Sequence, residues 1–585
     1  MNNQEINRAI KCSNSQIFTP ESIAKLMVKL SLKEHKKHIL DPCCGNGIFL
    51  LKIIEVLKEN RREMKNPHQK SFISPEKLPQ LFGIDIDPEC VHKTKMNLKK
   101  MEELVLGTEQ VFQGDFFELF ERELTGKKFE LIIGNPPYIR QEFIPNKKRL
   151  RDLMAKYSQK QICYQSFSAD LYSYFIEYST YLLKEHGNLT FITPDKWLHV
   201  KYGKNLKKFI LKNYTINAII TSDLNLFENA LVDNVIILLK KEPETRKRKQ
   251  NLCMFIRIKQ KVNYNRLEKI IKNRLEYSNR NIEAIQIPQE ALNPNSKWTY
   301  YLRAPKYYEE LKRNQLMITF MENDFVNINR GITTGADNFF YFNKKDLEET
   351  NLEEDFLLPA IKSPRSYSSI EINSTTKSIL AISKECSREE LPKNVQKYII
   401  LGEKEGYHQR PTLLKRDPWF SLNINPPAPI LVPRFTRTGR TMVFWNRIKA
   451  IPNQTFYEIH LKDQSHQLFV LAYLNSLLGS LAFEIEGRIE GRGLLQLAVY
   501  ELGNIPLIDP RKICQKKIKN IEKQFLELIP QINTKNEPEH RELLDQAFLE
   551  ILDLPNKTFE EIKMDYSRIY QRRLNKLHTT NSIIR

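Results

Sequence analysis

The chain has 585 residues, too many for one hydrophobic core, so roughly two to four domains are expected. Hydrophobic residues make up 41% and aromatics 10%, which excludes a disordered chain. The formal net charge is +21; residues 1–240 carry 36 Lys+Arg against 28 Asp+Glu and the remainder carries the larger share of the excess, so the charge is not one basic tail and favours a polyanionic partner such as nucleic acid. A generally Lys-rich proteome is the bland alternative.

Eight cysteines are scattered with no CxxC pair or zinc spacing, which points to a reducing cytoplasm and to no metal site. The N-terminal stretch has no apolar signal core and no apolar run reaches the ~20 residues of a membrane span. A soluble, cytoplasmic protein is expected.

In chain order, Thr19 suits a helix N-cap and Pro20 the first helical position. Ile23, Leu26, Met27 and Leu30 then fall on one helical face. A short apolar lead ends at Asp41, followed by the loop Asp41 to Gly47 and a helical run from Ile48. Residues 58–80 read as a helix end plus a polar surface insertion. Strands are predicted at 81–86, 109–113 and 129–133, ending in Asp85, Asp115 and Gly134. Further elements are a helix at 171–183, a strand at 189–193, a helix at 206–211, and strands at 216–221 and 235–239. The alternation predicts an α/β fold with a doubly wound, mostly parallel sheet.

The charged run from Lys241 to Gln250 reads as a linker. Beyond it, residues 251–510 show short β-rich runs, and residues 511–585 turn helical with apolar positions Ile518, Ile521, Phe525 and Leu528. The expected domains are therefore 1–245, 246–510 and 511–585.

Two groups of residues carry chemistry. Gly45 and Gly47 let a ligand approach the backbone at a helix start, and the absent third glycine argues against a dinucleotide pyrophosphate. Asp85 ends the second strand, where an acid pairs with ribose hydroxyls. Asp115 ends the third, where a carboxylate can accept from an adenine amino group, with Phe116 beside the ring. Each aspartate alone is more simply a helix N-cap; their order ahead of the next motif favours a nucleoside site.

That motif is Asn135-Pro136-Pro137-Tyr138. Two prolines stiffen the loop and remove two N–H donors. The Asn135 side-chain oxygen and the Pro136 carbonyl remain as acceptors beside the Tyr138 ring. An exocyclic amino group on a flat ring needs two acceptors and a stacking face.

These residues resemble an N6-adenine DNA methyltransferase of the gamma class, the group that includes many type II modification methyltransferases. Phe18-Thr19-Pro20, Asp41 to Gly47, Asp85-Ile86-Asp87-Pro88, Asp115-Phe116 and Asp170 to Phe175 resemble its successive motifs, in its order. The resemblance implies a class I, Rossmann-like methyltransferase domain using S-adenosylmethionine. It implies that Thr19, Asp41, Cys43, Gly45, Gly47, Asp85, Ile86, Asp115, Phe116, Asn135, Pro137 and Phe175 line the cofactor site, with Cys43 and Cys44 as wall residues and not nucleophiles. Asn135, Pro136, Pro137 and Tyr138 would be catalytic, and Tyr138 and Phe227 would stack on a flipped base.

The later part resembles an α+β target recognition domain at Gly331 to Asn338, Leu474 to Ser476 and Leu502 to Pro506, with a helical C-terminal segment. Arg434, Arg437 and Arg440 are candidates for phosphate or guanine contacts; a solvated strand face is the simpler reading of that spacing. Double-stranded DNA is the implied partner and a cognate restriction endonuclease the genetic one. Three alternatives remain: a methyltransferase of a protein glutamine or an RNA guanine, a fused restriction-modification enzyme, and a non-catalytic DNA-binding subunit.

Overall fold

The computed structural model describes residues 18–32, 38–63, 79–101, 110–124, 126–157, 165–200, 202–224, 226–227, 233–321, 325–437, 439–490, 493–552 and 559–575. The N-terminal stretch and most of the insertion expected within 58–80 lie outside them.

The chain divides into two compact units that meet in sequence between Leu302 and Arg303. The first is built on a ten-stranded sheet. Its strands are β1 (His38–Asp41), β2 (Gln80–Asp85), β3 (Val111–Gln113), β4 (Phe129–Gly134), β5 (Leu183–Pro194), β6 (Tyr214–Ser222), β7 (Asn234–Lys241), β8 (Leu252–Ile258), β9 (Tyr277–Ser278) and β10 (Ile282–Pro288). Their order is β3-β2-β1-β4-β5-β7-β6-β8-β10-β9. Strands β1 to β5 are mutually parallel, and β7 inserts antiparallel between β5 and β6.

The sequence pattern explains why both faces are covered. On β4, Leu131 and Ile133 pack into one apolar cluster while Phe129 and Ile132 pack into the other. On β1, Ile39 and Leu40 divide the same way. A strand buried on both faces reads as a continuous apolar run. Helices α1 (Glu21–Ser31), α2 (Ile48–Glu63) and α3 (Pro88–Lys99) contribute Leu26, Ile53 and Val91 to one cluster. Helices α4 (Phe116–Arg122), α5 (Lys147–Tyr157), α6 (Leu171–Leu182) and α7 (Gly203–Asn213) contribute Phe117, Met154, Tyr178 and Phe209 to the other. Each such fully buried aliphatic side chain stabilises the fold by about 1.5–3 kcal/mol.

Two expectations are corrected. Thr19 does not cap α1; Pro20 holds the cap position with extended backbone and Thr19 lies buried just ahead of it. The run from Lys241 to Gln250 is not a boundary between domains. It contains one short helix, Thr245–Lys249, and returns the chain to the same sheet, where β8 pairs parallel with β6. The first unit therefore extends some way past residue 245, because β8 and β10 complete its sheet.

Among the described residues the second unit holds four small sheets, of two, five, four and three strands, and a helical group. Its five-stranded sheet runs 326–330, 456–461, 430–433, 444–446 and 371–372. The helix Gln515–Leu528 buries Ile518, Ile521, Phe525 and Leu528 as the sequence predicts. It packs on Gln467–Asn475 and Glu537–Leu552, while Phe559–Asn575 packs on Leu477–Glu486. The helices after 511 thus belong to the second unit and do not form a separate domain.

Ser476 alone separates two apolar helices bent by 69°. No described helix is by itself long and apolar enough to cross a membrane. The bent pair is buried, and it carries Glu484 as the partner of a fully buried Arg573. Arg573 donates to both Glu484 oxygens at 2.8 Å and, through Nη1, to the carbonyls of Arg437 and Gly493 at 2.8 and 2.7 Å. Removing one partner of such a pair leaves an uncompensated buried charge, at a cost of about 3–5 kcal/mol. Arg573→Met should therefore lower the urea midpoint of the second unit clearly, followed by hydrogen exchange in 467–486. An unchanged midpoint would show that the pair carries no stability.

Candidate active site

The site lies at the carboxyl ends of β1, β2, β3 and β4, where loops leave an open parallel sheet side by side. After β1 the backbone turns through Gly45 at φ +53° and Gly47 at φ +84°, conformations that L side chains rarely adopt. A Cβ on Gly47 would also come within 2.9 Å of Thr94 on α3. Thr94 Oγ1 donates to the Gly45 carbonyl at 2.8 Å, and Asn97 Nδ2 donates to the Asn46 carbonyl at 3.2 Å. Sequence reasoning missed both residues. The ring of Phe18 lies over this loop, 3.5 Å from where a Gly45 Cβ would stand.

Asp41 is fully buried. Its Oδ1 accepts from the Cys43 amide at 3.2 Å, and its Oδ2 has no hydrogen-bond partner. Burial pushes its pKa up to about 8, helped by the nearby Asp85 charge and opposed by the Cys43 amide. Asp85 Oδ2 accepts from the Gly45 amide at 2.8 Å and Oδ1 from the Asp87 amide at 2.9 Å. The carboxylate thus braces the glycine loop and keeps further lone pairs for a ligand. Burial raises its pKa against those two bonds. Ile86 is half-buried in the turn that follows.

Asp115 caps α4, accepting from the Phe117 amide at 2.7 Å. The N-cap reading is realised here without excluding a ligand on its second oxygen. Burial is the largest influence on its pKa and raises it. Phe116 and Phe175 are both buried and stack on each other, with centroids 5.0 Å apart and planes 16° apart. Together they form an apolar wall, each with one face already covered. The thiols of Cys43 and Cys44 are enclosed, and burial drives their pKa values well up. Both stay protonated near neutral pH, as wall residues would.

The loop Asn135 to Tyr138 leaves β4 next to the glycine loop of β1. The Asn135 backbone hydrogen-bonds Cys43, so the two loops touch. Between them stands Gly134, where a Cβ would fall 2.7 Å from Asp41 Oδ1. Pro136 is buried; Asn135, Pro137 and Tyr138 are half-buried. The Tyr138 hydroxyl is buried with no hydrogen-bond partner, and burial raises its pKa well above the usual phenol value. The structure brings Phe227 to this ring from far along the chain, with centroids 6.5 Å apart and planes at 89°. In this arrangement a flat guest that lies parallel to one ring meets the other edge-on.

The loop is tied down on its far side by residues the sequence did not reveal as partners. Leu171 N–H donates to the Ile139 carbonyl and Gln141 N–H to Asp170 Oδ1, each at 3.0 Å. Tyr202 Oη donates to Asp170 Oδ2 at 2.8 Å and lies 2.8 Å from Tyr172 Oη. No group of three or more His, Cys, Asp or Glu suited to a metal occurs among the described residues.

In the second unit the three candidate arginines differ. The Arg434 guanidinium lies over the exposed Phe435 ring, 5.0 Å from its centroid. Arg437 has its carbonyl held by Arg573. Arg440 is committed to the buried carboxylate of Asp545, at 3.3 Å through both terminal nitrogens. It is therefore withdrawn from the DNA-contact set, because leaving Asp545 would strand a buried charge.

Residues 79–227 match the family model described as Eco57I restriction-modification methylase. Residues 295–536 match that of the type II methyltransferase M.Eco57I, C-terminal domain. The type II methyltransferase M.AccI of Acinetobacter calcoaceticus is 26% identical over 537 residues, covering 88% of this chain and 89% of that one. M.BstVI of Geobacillus stearothermophilus is 25% identical over 364 residues, covering 59% of this chain and 62% of the relative. Among solved structures, the type IIL restriction-modification enzyme MmeI in complex with DNA superposes with a TM-score of 0.57 at 14% identity, covering 98% of this chain and 76% of that one. That likeness supports a shared fold. The sheet order, with its reversed β7, is that of a class I S-adenosylmethionine-dependent methyltransferase. The two family matches fall in sequence order along the chain, which is similar over most of its length to type II methyltransferases of restriction-modification systems.

Proposed function

We propose that this protein methylates N6 of an adenine extruded from duplex DNA, as a gamma-class, site-specific modification enzyme whose mark protects DNA from a cognate restriction endonuclease. The observation that carries the reading is the junction of two loops at Gly134, which sets an Asn-Pro-Pro-Tyr acceptor loop against a buried, glycine-lined pocket wall.

The residues present fit S-adenosylmethionine. Asp41 offers a buried oxygen without a partner, suited to an ammonium group. Asp85 suits ribose hydroxyls, and the Phe116–Phe175 wall with Asp115 suits an adenine ring and its amino group. Bound there, the cofactor would supply an electrophilic methyl group.

The chain's own residues would do the rest. In the stack N6 is inaccessible, so the base must leave the duplex. Tyr138 would stack on it and Phe227 would meet its edge; stacking of this kind is worth about 1–3 kcal/mol per base. The amino lone pair is delocalised into the ring. Asn135 Oδ1 and the Pro136 carbonyl, accepting both hydrogens, would localise it, stabilising charge in the transition state and fixing direction. Arg434 and Arg437 remain the candidate DNA contacts of the second unit.

Tritium transfer to duplex DNA tests the scheme. Asn135→Ala should lose methyl transfer by at least about 10³-fold with cofactor affinity within a few-fold; normal turnover would refute the acceptor role. Because the Tyr138 hydroxyl has no partner, Tyr138→Phe should keep most of the rate while Tyr138→Ala loses about ten- to a hundredfold. Equal losses in the two would contradict a stacking role.

Asp41 sets a pH dependence. Its pKa is about 8 without ligand, so it is largely protonated at pH 6, and an ammonium beside it would favour the ionised form. Binding would then release a proton, and cofactor affinity should rise from pH 6 to 7.5 by up to about tenfold per unit. Calorimetry in two buffers of different ionisation heat reads the proton directly. A flat profile, or one unchanged in Asp41→Asn, would separate Asp41 from the ligand.

A further inference from the structure

Two phenyl rings beside the catalytic loop stand in solvent: Phe143 and Phe167, each 59% exposed. Single exposed apolar residues are ordinary; these two share one rigid, cationic platform. Phe143 ends the one-turn helix Gln141–Phe143, which begins three residues after Tyr138. The next residue, Ile144, is buried and anchors it. Phe167 lies on the segment that leads into α6.

The two segments are stitched together. Gln141 N–H donates to Asp170 Oδ1 at 3.0 Å. Lys147 Nζ bridges them, donating to Gln141 Oε1 at 2.6 Å and to the Phe167 carbonyl at 2.8 Å. The Arg151 guanidinium lies over the Phe167 ring, 4.2 Å from its centroid, and also donates to the Gln165 carbonyl. Lys148 is exposed on the same helix, α5, where Arg149 pairs with Glu118 at 3.2 Å, and Arg140 is exposed just before the one-turn helix, which also carries the exposed Glu142. Aromatic faces interleaved with lysine and arginine are the chemistry that meets stacked bases and phosphates.

Resting on the reading above, we propose that Phe143 and Phe167 contact the base stack at the extrusion site, with Phe143 entering the gap that the departing adenine leaves. The occupant is duplex DNA, whose phosphates suit Arg151 over Phe167 and the exposed Arg140 and Lys148 nearby. The platform follows directly on the loop that would grip the extruded base. Asp170 and Lys147 brace Gln141 and Lys147 also holds the Phe167 carbonyl, so the backbone that carries the rings is set before DNA arrives and the ordering cost of binding is reduced. Their role is to hold the duplex open, not to touch the reacting atoms.

The test uses the full chain and a duplex bearing the sequence that the wild-type protein modifies. The rate, kcat/KM, is compared on that duplex and on one with an abasic position opposite the target adenine, where the base is already unpaired. Phe143→Ala should lose about tenfold or more on the paired duplex and less than about threefold on the abasic one, with unchanged cofactor affinity. Phe143→Trp should restore the paired rate, and Phe167→Ala should show the same pattern more weakly. With 2-aminopurine at the target position, Phe143→Ala should give a weaker fluorescence rise on binding.

Equal loss on the two duplexes would overturn the proposal in favour of a purely structural role. No loss on the paired duplex would overturn it too, and would assign the rings to another occupant such as a second copy of the chain. A wild-type protein that modifies no adenine in either duplex would refute the underlying reading instead, so the two failures are distinct.

Discussion

Asp41 and Gly134 meet where two neighbouring parallel strands end, and that contact constrains the rest of the site. The space between them admits no side chain: a single methyl at 134 would press on a carboxylate that has nowhere to retreat, because it is fully buried. The parallel register of β1 with β4, Ile39 beside Leu131 and Leu40 beside Ile132, delivers both residues to one level. From there one chain turns into the glycine loop and the other into the acceptor loop. The close approach is thus a property of the sheet, and the loops inherit their separation from it.

Much of this was legible in the sequence, because the relevant signals are local. A short apolar run ending in an aspartate or glycine marks a buried strand with a functional end, and β1, β2 and β4 were read that way. The resemblance assigns Phe227 and Tyr138 to one guest base, and their ring centroids lie 6.5 Å apart. What the sequence hid depends on partners far apart in the chain. Arginine spacing at 434, 437 and 440 looks uniform, yet Asp545 turns the last of them inward. Asp170 opens a stretch that resembles a family motif, but its grip on Gln141 and Tyr202 appears only when three segments converge. The charged run at 241–250 is not a boundary, since a polar connection between two strands of one sheet has the same composition as a linker. Thr19 was a plausible cap by type; the extended Pro20 took the position.

The net charge of +21 likewise divides into two uses. Arg573 and Arg440 are consumed inside the second unit, where they neutralise Glu484 and Asp545 and hold backbone carbonyls in place. Arg434 and the cations of α5 stay at the surface, several of them beside aromatic rings. Composition counts these groups alike. Only their surroundings separate a charge that keeps the fold from one that can meet a polyanion.

The exocyclic nitrogen of adenine is the atom on which the proposed chemistry acts, and its methylation can be read from whole genomes. The gene should be expressed in a host lacking its own DNA methylation, and the genomic DNA sequenced by a method that reads modified bases on single molecules. The account predicts 6-methyladenine at one recurring sequence and nowhere else. Unmodified adenines throughout, with an active, folded protein in the cell, or methyl groups found on another base, would contradict it.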